Sequence, residues 1–425
     1  MQIIKYPERA TWNDILKRQT QSLQEIEQIV IPILEDISVR GDEALKFYAQ
    51  KFDGVELNEI LVSTEEVEEA LAQISEELKE AIDVAYINIF KFHQHQQSKI
   101  EVIETTEGVQ CWRKSVGIEK VGLYIPGGSA PLFSTVLMLV IPAIIAGCHD
   151  IILCTPTNKE GKIHPTILYV ANLCGLHKIY KVGGAQAIAA MAYGTETIPQ
   201  VYKIFGPGNQ YVTAAKQLVN KNGIAIDMPA GPSEVLVIGD DESRPDFIAA
   251  DLLSQAEHGA DSQVVFVTTD EAYLNMVHFA IDQQLKNLPR KELAEKALEN
   301  SKLILVKDMD EAIDLSNFYA PEHLILQTRN AEELAEKIVN AGSVFIGHYS
   351  PESAGDYASG TNHTLPTNGF AKAYSGVSLD SFVKKITFQK ITKEGLQNLG
   401  KTIEIMAENE GLFAHKNAVS IRLKE

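Results

Sequence analysis

Beyond residue 120 the chain alternates short apolar runs with segments whose apolar residues recur at helical spacing, and this alternation constrains the fold more than any other feature. Parallel strands cannot be joined by a tight turn, so each needs a crossover, usually a helix. The pattern predicts strands at 121–125, 151–154, 179–182 and 201–205, with helices at 131–146, 164–173, 185–193 and 210–220. A glycine- and proline-rich stretch, Asp227-Met228-Pro229-Ala230-Gly231-Pro232-Ser233, then interrupts it. The alternation restarts with strands at 235–238, 264–267, 303–306, 324–326 and 343–346. The expected fold class is α/β: two doubly wound, Rossmann-like parallel sheets joined by a hinge. Ligands in such folds are expected beyond the carboxyl ends of the strands.

The flanks differ in texture. Residues 22–40 and 42–52 carry helical periodicity and stop at Gly41 and Gly54. Ser63-Thr64-Glu65-Glu66 has the form of a capping box and opens a helical segment expected to reach about residue 97. His93 and His95 within it are two residues apart, so they face different sides and read as solvated. A strand is expected at 379–388, a helix at 393–409, and then a short polar tail. A piece that small cannot bury a core alone, so it must pack on the body or on a neighbouring chain.

Charge and cysteine usage narrow the function. A formal net charge of -19 repels phosphate backbones, so neither nucleic acid nor anionic membrane is an expected partner. The longest apolar run, 130–147, is broken by Pro131, Ser134, Thr135 and Pro142 and is too short to span a bilayer. Residues 1–8 lack the pattern of a secretory signal, which makes the cytoplasm the expected compartment. The four cysteines, at 111, 148, 154 and 174, show no zinc-knuckle or redox spacing, so any metal must be held by nitrogen and oxygen.

Several segments could carry chemistry. Gly183-Gly184-Ala185-Gln186 and Gly206-Pro207-Gly208-Asn209 fall at strand-to-helix junctions, where bare backbone can approach a pyrophosphate. Neither completes the dinucleotide fingerprint, because Ile188 and Tyr211 stand where its last glycine belongs, and close packing of helix against strand is the better explanation of both loops. Pro245 suits a first helical position and Gly259 a helix stop, which puts Gln255 and His258 on one face near the helix end. Residues 355–363 read as a long polar loop holding Asp356, Asn362 and His363. Glu322-His323, just before an expected strand, offers two proton-transfer groups side by side. The tail brings a further carboxylate and imidazole in Glu410 and His415.

Taken together, the stretches VGLYIPGG, VGGAQAIAA, GPGN, IDMPAGPSE, DLLSQAEHG, PEHL, SPESAGDYASGTNH and AHKNA resemble the histidinol dehydrogenase family from about residue 121 to 420. The resemblance implies one Zn2+ per subunit held by Gln255, His258, Asp356 and His415, a ligand set that also suits manganese or cobalt. It implies Glu322 as the water-activating carboxylate and His323 as the general base. It further implies substrate contacts from Ser233, His363 and Glu410 as well as from His323 and the metal ligands, and NAD contacts from Tyr124, Gln186 and Asn209. The implied reaction oxidises L-histidinol through bound L-histidinaldehyde to L-histidine with two NAD+, the last step of histidine biosynthesis. A homodimer with shared sites is implied, Glu410 and His415 entering the partner's site. The expected division is an N-terminal segment 1–24, a first α/β domain of 25–120 plus 235–376, an NAD-facing domain 121–234 and a dimerisation tail 377–425. The competing class is a metallohydrolase using the same ligands and Glu322 as its base.

Overall fold

The computed structural model describes residues 1–18, 23–127 and 130–424, so the expected helix start at Ser22 and the glycine at 128 lie outside the described residues. Two parallel sheets form the body. The five-stranded sheet runs Ile179–Lys181, Asp150–Thr155, Lys120–Tyr124, Lys203–Phe205, Ala225–Ile226. The six-stranded sheet runs Gln2–Lys5, Lys302–Leu305, Gln263–Thr268, Glu234–Gly239, His323–Gln327, Ser343–Ile346. In chain order both read third-second-first-fourth-fifth, and the second gains Gln2–Lys5 at its edge, which the helical reading of the N-terminus missed. Both sheets are therefore doubly wound, with a crevice where the winding reverses. Glu234–Gly239 and Gln263–Thr268 are buried at every position, as strands covered on both faces must be.

Local chemistry explains most of the helices. Ser63 accepts from the Glu66 backbone while Glu66 reaches back to Ser63, completing the expected capping box. The segment it opens is two helices, Thr64–Leu71 and Glu76–Gln94, because Ser75 caps a second start by accepting from Leu78 N. His93 is buried rather than solvated: its Nδ1 lies 3.2 Å from Gln96 Oε1 and its Nε2 3.4 Å from Asn362 Nδ2. The expected loop at 355–363 begins inside a helix, Glu352–Tyr357, so Asp356 stands on a helical turn. The tail is a helix, Phe413–Leu423, after Lys393–Asn409. The expected strand at 379–388 runs instead at Val383–Ile391, following a short 3-10 turn. It pairs antiparallel with Val109–Gly117, which in turn pairs with Val102–Thr106. Val102–Thr106 and Val109–Gly117 were not legible in the sequence because they bury no continuous apolar face.

Packing regroups the expected domains. Val30, Ile37 and Leu45 share a core with Ile188, Ala215 and Tyr124, and Ile82 and Ile89 share one with Val121 and Met138. The helices between 23 and 94 thus cover the five-stranded sheet, not the six-stranded sheet with which residues 25–120 were expected to group. Trp12 and Leu16 instead pack with Leu236 and Val265 of the six-stranded sheet. Among the described residues no helix is long and apolar enough to cross a membrane.

Gly206 offers a test of the crevice backbone. Its φ is +124°, and an added Cβ would sit 2.0 Å from Tyr124 O, whereas Gly223, at φ +96°, has nothing within 4 Å. Gly206→Ala is expected to cost about 3 kcal/mol or more, combining backbone strain with overpacking. Gly223→Ala is expected to cost only about 1 kcal/mol, from strain alone. Equal losses in urea unfolding would show that space at Gly206 is not the constraint.

Candidate active site

The strand Ala225–Ile226 ends at the carboxyl edge of the five-stranded sheet, and seven hinge residues later Glu234 opens the six-stranded one. So short a connection brings the carboxyl edge of the first sheet against the amino edge of the second. A cavity of about 1200 Å³ lies between them. Pro126 and the loop Gly206-Pro207-Gly208-Asn209 line one side, with Ser233, His258, Glu322 and His363 on the other. The cavity lies beyond the carboxyl ends of the first sheet only. In the second, Ser233 and Glu322 immediately precede their strands, because the hinge presents that sheet's starting edge.

Both proton-transfer candidates are organised by one residue. The Glu234 backbone N–H donates to Glu322 Oε2 at 2.9 Å, and its carbonyl lies 3.1 Å from His323 Nδ1. Among the described residues His323 Nε2 is buried without a hydrogen-bond partner, 3.7 Å from Asp356 Oδ1. Burial pushes the His323 imidazole down to about 3, so the ring is neutral near physiological pH. Burial also raises Glu322 well above the ordinary carboxylate range, despite the Glu234 N–H.

Beside this pair lies an acidic and imidazole cluster. One donor atom each from His258, Glu352 and Asp356 lies within 4.8 Å of the others. Gln255, 1% exposed, sets one end of its amide against Glu352 Oε1 and the other 2.9 Å from Glu234 N, so that it would hydrogen-bond both with its nitrogen turned toward Glu352. Helix Pro245–Ala256 supplies Gln255 and ends just before His258, while helix Glu352–Tyr357 supplies Glu352 and Asp356 one turn apart. Burial drives Glu352 well above its ordinary range, helped by the charges of Asp356, Glu322 and Asp251, and lifts Asp356 to about 7. Glu352 Oε2 has no hydrogen-bond partner among the described residues. The sequence reading missed Glu352, although its position four residues before Asp356 was a usable signal.

The remaining expected residues divide. His363 stands in the cavity wall, its Nδ1 2.8 Å from Asp356 O and its Nε2 3.0 Å from Thr135 Oγ1, and burial pushes it down to about 4. Asn209 lines the cavity and caps helix Gln210–Lys221, accepting from Tyr211 N and Val212 N at 3.0 and 3.1 Å. Tyr124 and Gln186 lie behind the wall at the Gly183-Gly184 loop, where Tyr124 Oη accepts from Gly184 N at 3.0 Å. Glu410 and His415 are exposed on the tail and belong neither to the cavity lining nor to the cluster.

Comparison with known proteins meets this geometry. The histidinol dehydrogenase family profile matches residues 16–423. The chain is 60% identical over 423 residues to the histidinol dehydrogenase of Bacteroides thetaiotaomicron, covering 100% of this chain and 99% of the relative. It is 55% identical over 399 residues to the chloroplastic histidinol dehydrogenase of Arabidopsis thaliana, covering 93% of this chain and 85% of that one. The crystal structure of the histidinol dehydrogenase from Elizabethkingia anophelis superposes with a TM-score of 0.98 at 58% identity, covering 100% of this chain and 98% of that one. A match of that extent in sequence and backbone means that the chain belongs to the histidinol dehydrogenase family.

Proposed function

We propose that this protein oxidises L-histidinol to L-histidine through a bound aldehyde, using NAD+ and one divalent cation, with zinc as the first choice. The observation that carries the reading is the convergence of Gln255, His258, Glu352 and Asp356 beside Glu322 and His323 in one crevice. The residues fit a cation. Their donors are nitrogen and oxygen, they come from two separate helices, and Glu352 Oε2 and His323 Nε2 are buried with no hydrogen-bond partner among the described residues. Gln255, His258 and Asp356 would hold the metal together with the partner subunit's His415. A cation bound there supplies positive charge that lets the crowded carboxylates ionise and anchors the substrate's imidazole and amine. NAD+, when bound, accepts hydride, and Asn209 at the cavity wall together with Tyr124 and Gln186 behind it are the candidates to receive it.

The chain's own groups then divide the proton work. The Glu234 carbonyl can only accept, so His323 carries its proton on Nδ1 and leaves the Nε2 lone pair to take the hydroxyl proton. Glu322, oriented by the Glu234 N–H, would activate water at the aldehyde stage once ionised. Ser233 and His363 in the wall would contact the substrate. Keeping the aldehyde bound in the crevice would prevent its escape between the two oxidations.

The same reading makes the protein a homodimer. Met406, Phe413 and Ile421 expose apolar surface on a tail that has no core of its own, which supports seating it on a second copy. Glu410 and His415, remote from their own cavity, would then complete the partner's. The free thiols, two of them buried, suit a reducing compartment such as the cytoplasm.

His258→Ala is expected to abolish stoichiometric metal binding and to lower turnover at least about 100-fold with folding intact. Metal analysis beside NADH formation from L-histidinol checks it, and retained metal would remove His258 from the ligand set. Mixing His415→Ala chains with His323→Ala chains is expected to restore up to about a quarter of wild-type activity, since a mixed dimer has one intact site of two. No recovery despite demonstrated subunit exchange would assign the tail to its own subunit.

A further inference from the structure

Glu234 touches both proton-handling groups only through its backbone, so whatever fixes that backbone fixes them. Its side chain is 2% exposed and is gripped by Arg18, whose Nε and Nη2 donate to Oε1 and Oε2 at 2.5 and 2.8 Å. Oε1 also accepts from Asn368 N at 2.7 Å. The grip extends to the other strand of the crevice. Arg18 Nη2 donates to Tyr319 O at 2.8 Å, and its guanidinium stacks 3.8 Å over the Tyr319 ring. Tyr319 ends its helix, and Ala320, at φ 53°, turns the chain directly into Pro321-Glu322-His323. One planar cation therefore holds the residue hydrogen-bonded to Glu322 and His323 and also the backbone that delivers them.

We propose that Arg18, through its two-pronged ion pair with Glu234 and its bond to Tyr319 O, is the positioning residue for the Glu322–His323 pair. The inference rests on reading that pair as the proton-handling groups. A lysine cannot replace this arrangement, because a point charge reproduces neither the fork nor the stacking. Arg18 reaches this position although it lies 216 residues from Glu234 in sequence. Its main chain is anchored next door, Gln263 Nε2 lying 3.3 Å from Lys17 O.

The test uses the full-length, metal-loaded dimer and measures kcat, both KM values and metal content for Arg18→Met, Arg18→Lys, Glu234→Gln and the double variant Arg18→Met/Glu234→Gln. Each single variant is expected to lower kcat about tenfold to hundredfold, the scale of a slight misplacement of catalytic groups. Both KM values are expected to stay within about threefold and metal content at the wild-type level. The double variant is expected to fall no further than the worse single one, because both break the same clamp. Unchanged kcat in Arg18→Met, a rise in KM without loss of kcat, or multiplicative losses in the double variant would each overturn the proposal. Should Arg18→Met fail to fold, Arg18→Lys decides it, with unchanged kcat counting against the clamp. His323→Asn, measured alongside, separates the two levels. Full turnover there overturns the reading of the pair itself, while loss there with none in the Arg18 variants overturns the clamp alone.

Discussion

Three carboxylates, Glu322, Glu352 and Asp356, are withdrawn from water at the junction of two sheets, and much of the site follows from how their charge is answered. An isolated buried carboxylate is costly enough that it normally takes up a proton or finds a partner. Glu234, equally buried, has Arg18, and Glu322 has the Glu234 N–H. Glu352 and Asp356 face Gln255, His258 and His323, which offer a hydrogen bond and imidazoles but no fixed positive charge. A divalent cation is the simplest group that would let this cluster ionise, and the ligand chemistry on hand is the kind that holds one.

The topology explains why such a cluster can be built. The first sheet reverses direction at its centre and opens a crevice at its carboxyl edge, between the strands that lead to Pro126 and Gly206. The seven-residue hinge is too short to carry the chain around the second sheet, so opposite strand ends meet. The first sheet contributes bare backbone around Gly206, and the second contributes side chains that precede its strands. Backbone from one sheet and titratable side chains from the other thus share one cavity.

Much of this was legible in residues. The βα alternation predicted both sheets, and nine of the eleven parallel strands fell close to their expected places; Gln2–Lys5 and the two-residue Ala225–Ile226 escaped because so few residues, none of them buried, carry no period. Gln255, His258, Glu322, His323 and His363 were found from spacing and motif, and they do meet. What stayed hidden was hidden for physical reasons. Which of the two sheets the N-terminal helices cover depends on long-range apolar contacts, which local periodicity does not encode. The burial of His93 depends on Asn362, 269 residues away. Arg18 and Glu234 carry no motif of their own, since their role arises only when the N-terminal segment folds back across the six-stranded sheet. The tail read as a short polar end because its helix, Phe413–Leu423, buries none of its residues and so carries no apolar face to signal it.

The account stands or falls on where a metal sits. Anomalous diffraction from zinc-loaded crystals, collected on both sides of the zinc absorption edge, reads this directly. The account expects one peak per subunit within coordination distance of Gln255, His258 and Asp356 and of the partner subunit's His415. Fully loaded crystals with no peak among these residues, or with their peak elsewhere, would contradict it.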